Sequence, residues 1–107
     1  NLGVAMHSGA EFGIELAAML HTAATIPTMT FAGDAHYHYL TDDIIQGGLM
    51  KYEDGCIRVP TGPGLGVALD EDKMKRYERY YEEKGDYYAR FHQDPYRPEW
   101  FPMVGGT

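Results

Sequence analysis

The spacing of the apolar residues changes several times along the chain, and each spacing predicts a different element. Leu2 to Met6 is a short apolar run that ends at the polar residue His7, which predicts a buried strand. From about Gly9 to Thr25 apolar side chains recur every three or four positions, and Pro27 follows, which predicts an amphipathic helix. Met29 to Gly33 is a second short apolar run. The order strand, helix, strand is typical of the crossover unit of a parallel sheet, and it indicates an α/β fold.

The predicted start of the helix depends on a local motif. Ser8 and Glu11 have the S-x-x-E spacing of a capping box, in which each side chain accepts a hydrogen bond from an unpaired amide of the first turn. This spacing predicts Ser8 as the N-cap and a helix that begins at about Gly9.

Glycine and proline recur in the next stretch, residues 37–69, which predicts turns rather than long elements. The pair Asp54-Gly55, between two short runs, predicts a hairpin. Acidic residues from Asp70 to Asp72 predict the start of a second helix, which Gly85 would end. The tail from Asp86 to Thr107 contains three prolines and is predicted to be irregular.

Composition narrows the classes of partner. The 107 residues carry a formal net charge of −7 with no basic run, which argues against nucleic acid or an anionic membrane as a partner. Cys56 is the only cysteine, so a disulfide within the chain is excluded. Without a long apolar run or a signal peptide, we expect a soluble, cytoplasmic protein. Because both predicted strands would keep open edges, we expect the chain to be the last part of a longer α/β protein.

The strand ends carry the candidate chemistry. In a barrel of alternating strands and helices, functional groups lie at the C-terminal ends of the strands. His7 ends the first predicted strand, and Asp34 and His36 follow the second, so the three side chains should converge on one rim. The N-terminus of the predicted helix would favour a neutral His7 ring and attract an anionic substrate group.

Structural interpretations of the same residues stay open at this point. A histidine at a strand end often has no catalytic role, and capping alone would account for Ser8. His36 and His38 could bind a transition metal if they extended the second strand, but they face differently if the strand ends at Gly33. His21, in the middle of the helix, is interpreted as a packing residue.

Two stretches resemble a known family. The sequence VPTGPGLGVALDEDKM, residues 59–74, is similar to the C-terminal signature of the mandelate racemase branch of the enolase superfamily. The sequence HSGAEFGIELAAMLHTAA, followed by FAGDAHYHY, resembles the segment of glucarate dehydratase-like members in which a His-Ser pair ends the seventh barrel strand and Asp-x-His ends the eighth.

The resemblance implies a fold and a division of the chain. It implies the C-terminal part of a modified TIM barrel, (β/α)₇β, together with the C-terminal return to a capping domain. Residues 1–36 would be the last two barrel strands and the helix between them. Residues 37–107 would form a hairpin, a helix and an irregular tail that pack on the barrel and the capping domain.

The resemblance also implies an activity. Members of this branch abstract the proton α to a carboxylate, with Mg²⁺ as cofactor, and glucarate dehydratase-like enzymes then dehydrate an acid sugar. The position of His7 would be the catalytic acid/base. Substrate-binding positions would be Ser8, Asp34, His36 and, in the tail, Arg90. The magnesium ligands would lie upstream, so this chain would hold no metal by itself, and the full protein would be a homo-oligomer.

One departure leaves the substrate open. Glucarate dehydratase has His-Ser-Asn-Asn-His where this chain has His7-Ser8-Gly9-Ala10-Glu11, so Gly9 replaces a polar position that contacts substrate. A racemase or epimerase of the same branch, and a catalytically silent homologue, are therefore the alternatives to an acid-sugar dehydratase.

Overall fold

The computed structural model of the chain describes residues 2–9 and 11–84. The predicted helix stop at Gly85, the predicted irregular tail and Arg90 lie outside the described residues. The chain divides into two compact units, Asn1–Met74 and Lys75–Thr107. The candidate site residues other than Arg90 belong to the first unit.

The two predicted strands lie side by side in parallel. Val4 pairs with Met29, and His7 pairs with Asp34, both as parallel bridges. The Asp34 amide donates to the Met6 carbonyl oxygen at 2.8 Å. The predicted parallel arrangement is therefore present, but it consists of isolated bridges rather than a continuous ladder. Among the described residues no further strand pairs with these two segments, and a pair of strands alone is marginally stable.

Helix α1 spans Gly13–Ala24, so the prediction that it begins at about Gly9 is wrong. The N-cap is Phe12, whose side chain makes no capping hydrogen bond, and the prediction of Ser8 as N-cap is wrong as well. The physical reason is that the Ser8 amide donates to the Asp34 carbonyl oxygen at 3.0 Å. Ser8 thus continues the parallel pairing and does not start a helix.

A distant carboxylate caps α1 instead. The amide of Gly13 donates to both carboxylate oxygens of Asp43, each at 3.1 Å, and Asp43 is fully buried. A negative charge at this position satisfies a free amide and complements the helix dipole. A Cβ atom at Gly13 would overlap Asp43, so the absence of a side chain lets the carboxylate approach.

The predicted hairpin and second helix are confirmed. Strands β1, Tyr52–Glu53, and β2, Cys56–Ile57, are antiparallel. The two residues between them have positive φ, 51° at Asp54 and 75° at Gly55, as a two-residue type I′ turn requires. Helix α2 spans Glu71–Lys84, and an Asp70 carboxylate oxygen accepts from the Lys73 amide at 3.1 Å at its start.

The glycine-rich turn before α2 is fixed by its own backbone and by α1. Gly66 has a φ of 72°, and its amide donates to the Pro63 carbonyl oxygen at 3.1 Å. From α1, Nε2 of His21 donates to the Leu65 carbonyl oxygen at 3.1 Å. This contact agrees with the interpretation of His21 as a packing residue.

The hydrophobic core of the described residues is small. Its buried members are Leu16, Ala17, Tyr37 and Ile45. By contrast, Leu2 is 87% exposed and Phe31 is 63% exposed, although both belong to the apolar runs that pair in parallel. Over residues 2–9 and 11–84, neither helix combines the length and the apolar character that a membrane crossing would need.

Candidate functional site

The structure brings His7 and Asp34 into direct contact at the end of the parallel pair. Nδ1 of His7 lies 3.1 Å from Oδ2 of Asp34, and both side chains are about 70% exposed, at 69% and 71%. A carboxylate only accepts, so Nδ1 carries the hydrogen of this bond. In the neutral ring Nε2 is then the nitrogen with a free lone pair, which is the form that can take up a proton.

His36 completes a group that we call the histidine cluster, which consists of His7, Asp34 and His36. The ring centroids of His7 and His36 are 5.8 Å apart, with the rings nearly perpendicular at 79°. Nδ1 of His36 donates to the carbonyl oxygen of Ser8 at 2.6 Å, which fixes the ring against the neighbouring loop. Three of the five predicted site residues therefore lie together on one rim, on which His7 and Asp34 are exposed and His36 is half-buried.

The other two predicted site residues have different positions. Ser8 is buried, at 7% exposure, and its hydroxyl donates to Oε2 of Glu11. The two ends of the predicted capping box thus bind each other rather than the amides of a helix. Arg90 lies outside the described residues.

Sequence reasoning missed a buried polar network beneath the histidine cluster. Glu11 is 1% exposed, and its Oε1 accepts from the Tyr37 amide at 2.9 Å. The Tyr37 hydroxyl donates to Oδ2 of Asp43 and accepts from the Met50 amide at 2.9 Å. Burial, and next the hydrogen bond to Asp43, raise the pKa of Tyr37 well above its ordinary value. The S-x-x-E spacing predicts that the Glu11 side chain forms a hydrogen bond, but no local sequence pattern predicts that Tyr37 or Asp43 belongs to a buried network.

The positive helix end predicted beside His7 is occupied by a side chain of this chain. Helix α1 starts only at Gly13, and its first amide donates to Asp43. The predicted attraction of an anionic substrate group to this helix end, and the predicted effect of the helix on the His7 ring, both lose their basis.

The His-x-His pair does not form a metal site. His36 precedes a single 3₁₀ turn, Tyr37–Tyr39, and His38 lies within it. Nδ1 of His38 donates to the Ala35 carbonyl oxygen at 3.2 Å, while that of His36 is bound to Ser8. The loop alternative therefore applies. Within the described part of the chain, no three His, Cys, Asp or Glu residues are grouped so that they could hold a metal ion.

Aromatic rings continue the rim beyond the histidine cluster. The Tyr39 ring stacks on His36 with centroids 6.1 Å apart and lies 4.0 Å from that of His38. The His38 ring in turn meets that of Tyr52, on β1, edge-on at 6.4 Å. The rim thus presents a row of rings with polar edges from His7 to the hairpin.

A cavity of about 480 Å³ lies next to the rim, between α1, the second parallel segment and the hairpin. Its walls are mostly apolar and include Met6, Leu16, Met19, Met29 and Ile57. Asp34, His38 and Tyr52 are its polar lining residues on the side of the rim. Because thioether and alkyl groups offer few hydrogen bonds, a polyhydroxylated ligand suits the rim and not the interior of this cavity.

Known proteins are similar to this chain in sequence and in structure. Residues 1–73 match the enolase C-terminal domain-like family. Over 73 residues the chain is 44% identical to a probable glucarate dehydratase of Streptomyces coelicolor, which covers 68% of this chain and 17% of that protein. Over 79 residues it is 37% identical to a chloromuconate cycloisomerase of Pseudomonas putida, covering 72% of this chain and 21% of that protein.

Solved structures agree with the sequence relatives. An enolase from Pseudomonas fluorescens with bound magnesium, potassium and tartrate superposes with a TM-score of 0.79 and 35% identity over 95% of this chain and 25% of its own. An enolase from Gibberella zeae complexed with magnesium, formate and sulfate gives 0.77 and 33% over 96% and 25%. An isomerase from Streptomyces coelicolor gives 0.74 and 44% over 80% and 23%.

The chain spans between 17% and 25% of the length of these relatives. Its family match nevertheless covers residues 1–73, which include both parallel segments, α1 and the histidine cluster. From this match and the resemblance in structure, the chain belongs to the enolase C-terminal domain-like family.

Proposed function

We propose that the full-length protein containing this chain is a Mg²⁺-dependent acid-sugar dehydratase, to which this chain contributes the acid/base His7. The observation that supports the proposal is the contact of His7 with Asp34, beside His36, at the end of two parallel segments. The 44% identity to a probable glucarate dehydratase supports the reaction class.

Dehydration requires a group that first removes a proton as a base and then donates a proton to the leaving hydroxyl group as an acid. Dehydration removes the proton α to a carboxylate and the β-hydroxyl group, which leaves as water. Nε2 of His7 is the nitrogen able to move a proton, because Nδ1 is held by Asp34. In this proposal Asp34, His36 and Ser8 contact or flank the substrate, and Arg90 holds a distal carboxylate if the substrate is a diacid.

Magnesium, in this proposal, is held by residues outside this chain. The residues that the structure describes do not group three carboxylates, so they do not fit the ion as a set of ligands. The structures from Pseudomonas fluorescens and Gibberella zeae contain magnesium. The part of this chain would be restricted to binding, orientation and proton transfer at the rim.

The same proposal includes the place of the chain in the whole fold. Residues 1–36 would be the last two strands and the intervening helix of a (β/α)₇β barrel, and residues 37–107 would pack on the barrel and a capping domain. The exposed Leu2 and Phe31 support this arrangement, because both faces of a parallel sheet are normally covered by other elements.

The test is an activity screen of the full-length protein against mono- and diacid sugars with Mg²⁺ present. On the best substrate, His7→Asn should lower kcat at least ~100-fold, the usual scale for a general acid or base. His21→Asn, a histidine on α1 that binds a backbone carbonyl, is the matched control and should keep kcat within about twofold. Wild-type turnover in His7→Asn would refute the proposed role.

Arg90 decides between diacid and monoacid substrates. A guanidinium group binds a carboxylate through two parallel hydrogen bonds, a geometry that lysine cannot reproduce. Arg90→Lys should therefore lower kcat/KM about tenfold or more for an aldarate and leave the corresponding aldonate within about twofold. Equal effects on both substrates would remove Arg90 from carboxylate binding.

A racemase or epimerase is the second candidate, favoured by the 44% identity to a structure described as an isomerase. The two reactions share the first proton abstraction and differ in the loss of water. Incubation in D₂O separates them. Incorporation of deuterium at the α carbon with inversion and no dehydrated product would support the racemase, whereas release of the β-hydroxyl supports the dehydratase.

A further inference from the structure

We propose that Glu11 is a positioning residue that fixes the separation of His7 and His36, an inference that rests on the proposed function of the histidine cluster. Glu11 does not belong to that cluster. Its carboxylate instead joins the two loops that carry the two histidines.

Both loops are bound by the same buried side chain. Oε2 of Glu11 accepts from the Ser8 hydroxyl, and Oε1 accepts from the Tyr37 amide at 2.9 Å. Ser8 directly follows His7 in the chain, and Tyr37 directly follows His36. Each carboxylate oxygen thus fixes the residue next to one histidine.

A second link closes the arrangement. Nδ1 of His36 donates to the Ser8 carbonyl oxygen at 2.6 Å, so the loops are joined through the ring as well as through Glu11. The Ser8 hydroxyl and the Tyr37 amide are then held by the two oxygens of one carboxylate. This crosslink holds the two histidine rings at 5.8 Å together with the hydrogen bond from the Ser8 amide to the Asp34 carbonyl oxygen.

Burial makes the crosslink strong. Glu11 is 1% exposed and Ser8 7%, so water competes little for these hydrogen bonds. Hydrogen bonds to a charged acceptor are stronger than those between neutral groups. Removal of the carboxylate would leave the Ser8 hydroxyl and the Tyr37 amide without their acceptor, so the backbone next to each histidine would be held less firmly. Displacements of about 1 Å at a reacting group can lower a rate about 100-fold.

The test uses the full-length enzyme, Mg²⁺ and the acid sugar on which it turns over fastest. Glu11→Ala should lower kcat at least ~30-fold while KM stays within about threefold, because ground-state contacts at the exposed rim remain. Glu11→Gln should stay within about fivefold of the wild type, since its carbonyl oxygen can accept from Tyr37 and its NH₂ group can donate to the Ser8 oxygen. Glu15→Gln, an exposed residue on α1, is the matched control and should change nothing.

A double variant distinguishes positioning from general support of the fold. If Glu11 acts through His7, then Glu11→Ala should lower kcat less than about threefold when His7 is already Asn. A purely structural role would lower kcat by the same ~30-fold factor in both backgrounds, and this result would overturn the inference. If Glu11→Ala fails to fold, Glu11→Asp replaces it, because the shorter side chain keeps the charge but cannot span both loops. For Glu11→Asp we expect kcat to fall at least ~5-fold.

Different results would refute the acid/base role of His7 and the positioning role of Glu11. Wild-type turnover in His7→Asn would refute the proposed function. A ~100-fold loss in His7→Asn together with wild-type kcat in Glu11→Ala or Glu11→Asp would overturn the inference about Glu11 alone.

Discussion

Asp43 should stabilise the first unit more than any other polar side chain described, and its replacement by alanine provides the sharpest test of the buried network. The carboxylate accepts from the Gly13 amide, from the Ile44 amide at 2.6 Å and from the Tyr37 hydroxyl. Asp43→Ala leaves these three donors without an acceptor. A buried donor without a partner costs about 1–3 kcal/mol.

The three donors are not equally buried, and this difference limits the expected magnitude. The bond of Ile44 is only partly buried, so water can replace the acceptor there, whereas Tyr37 is 2% exposed and Gly13 is buried. Two fully buried donors, one of which is the Gly13 amide that Asp43 caps, together indicate a loss of about 2–6 kcal/mol. Asp43→Asn keeps one accepting oxygen and should lose about 1–2 kcal/mol.

The measurement is urea unfolding of the full-length protein, followed by circular dichroism. Asp72→Ala, an exposed acidic residue in the first turn of α2, is the matched control and should change the free energy of unfolding by about 0.5 kcal/mol or less. Hydrogen exchange should in addition show faster exchange at the amides of Gly13 and Ile44 in Asp43→Ala. A loss below about 1 kcal/mol with unchanged exchange at Gly13 would refute the assignment of Asp43 as the helix cap.

Three further outcomes follow from the same structure. Because the pKa of Tyr37 is raised, the folded state keeps the phenolic proton to higher pH than the unfolded chain does, and this contribution to stability is complete below about pH 10 and is lost as the pH rises above it. Tyr37→Phe should therefore show a smaller decline of the urea midpoint between pH 9 and 11 than the wild type. An equal decline in both proteins would contradict this. Gly66→Ala should lower the thermal midpoint of unfolding more than Gly48→Ala does. Both positions have positive φ, but only at Gly66 would an added Cβ atom lie 2.5 Å from the Cβ of Pro60. Equal shifts in the two variants would contradict a steric overlap at Gly66. Residues 1–107 expressed alone should bind a hydrophobic dye and unfold without a sharp transition, since Leu2 and Phe31 are exposed, and a cooperative soluble monomer would contradict this.

The elements that the sequence predicts correctly are those fixed by neighbours in the chain. The three-to-four spacing gives α1 its body, Asp54-Gly55 gives the hairpin its turn, and Asp70 starts α2. Each depends on contacts within a few residues. The convergence of His7 with Asp34 could be predicted too, because parallel strands end at the same edge of a sheet.

The start of α1 and the buried network could not be predicted for the opposite reason. Ser8 and Glu11 have the spacing of a capping box, yet the Ser8 amide donates to the carbonyl oxygen of Asp34, a residue far away in the chain. The acceptor that does cap the helix, Asp43, is 30 residues from Gly13. Hydrogen bonds to Asp34 and Asp43 thus replace those of the local capping box, and the spacing of apolar residues does not predict such distant partners.

The distant helix cap also has a consequence for biosynthesis. The first residue of α1, Gly13, leaves the ribosome before Asp43, whose carboxylate binds the Gly13 amide and lies 30 residues later in the chain. At about 5–20 residues per second, the helix would wait about 1.5–6 s for its cap. During this interval its first turn would fray, and Glu11 would lack its contact with Tyr37, which is also synthesised later. The histidine cluster would therefore be assembled only after translation has passed Tyr37. A nascent chain that ends before Asp43 would still lack the acceptor for the first amide of α1.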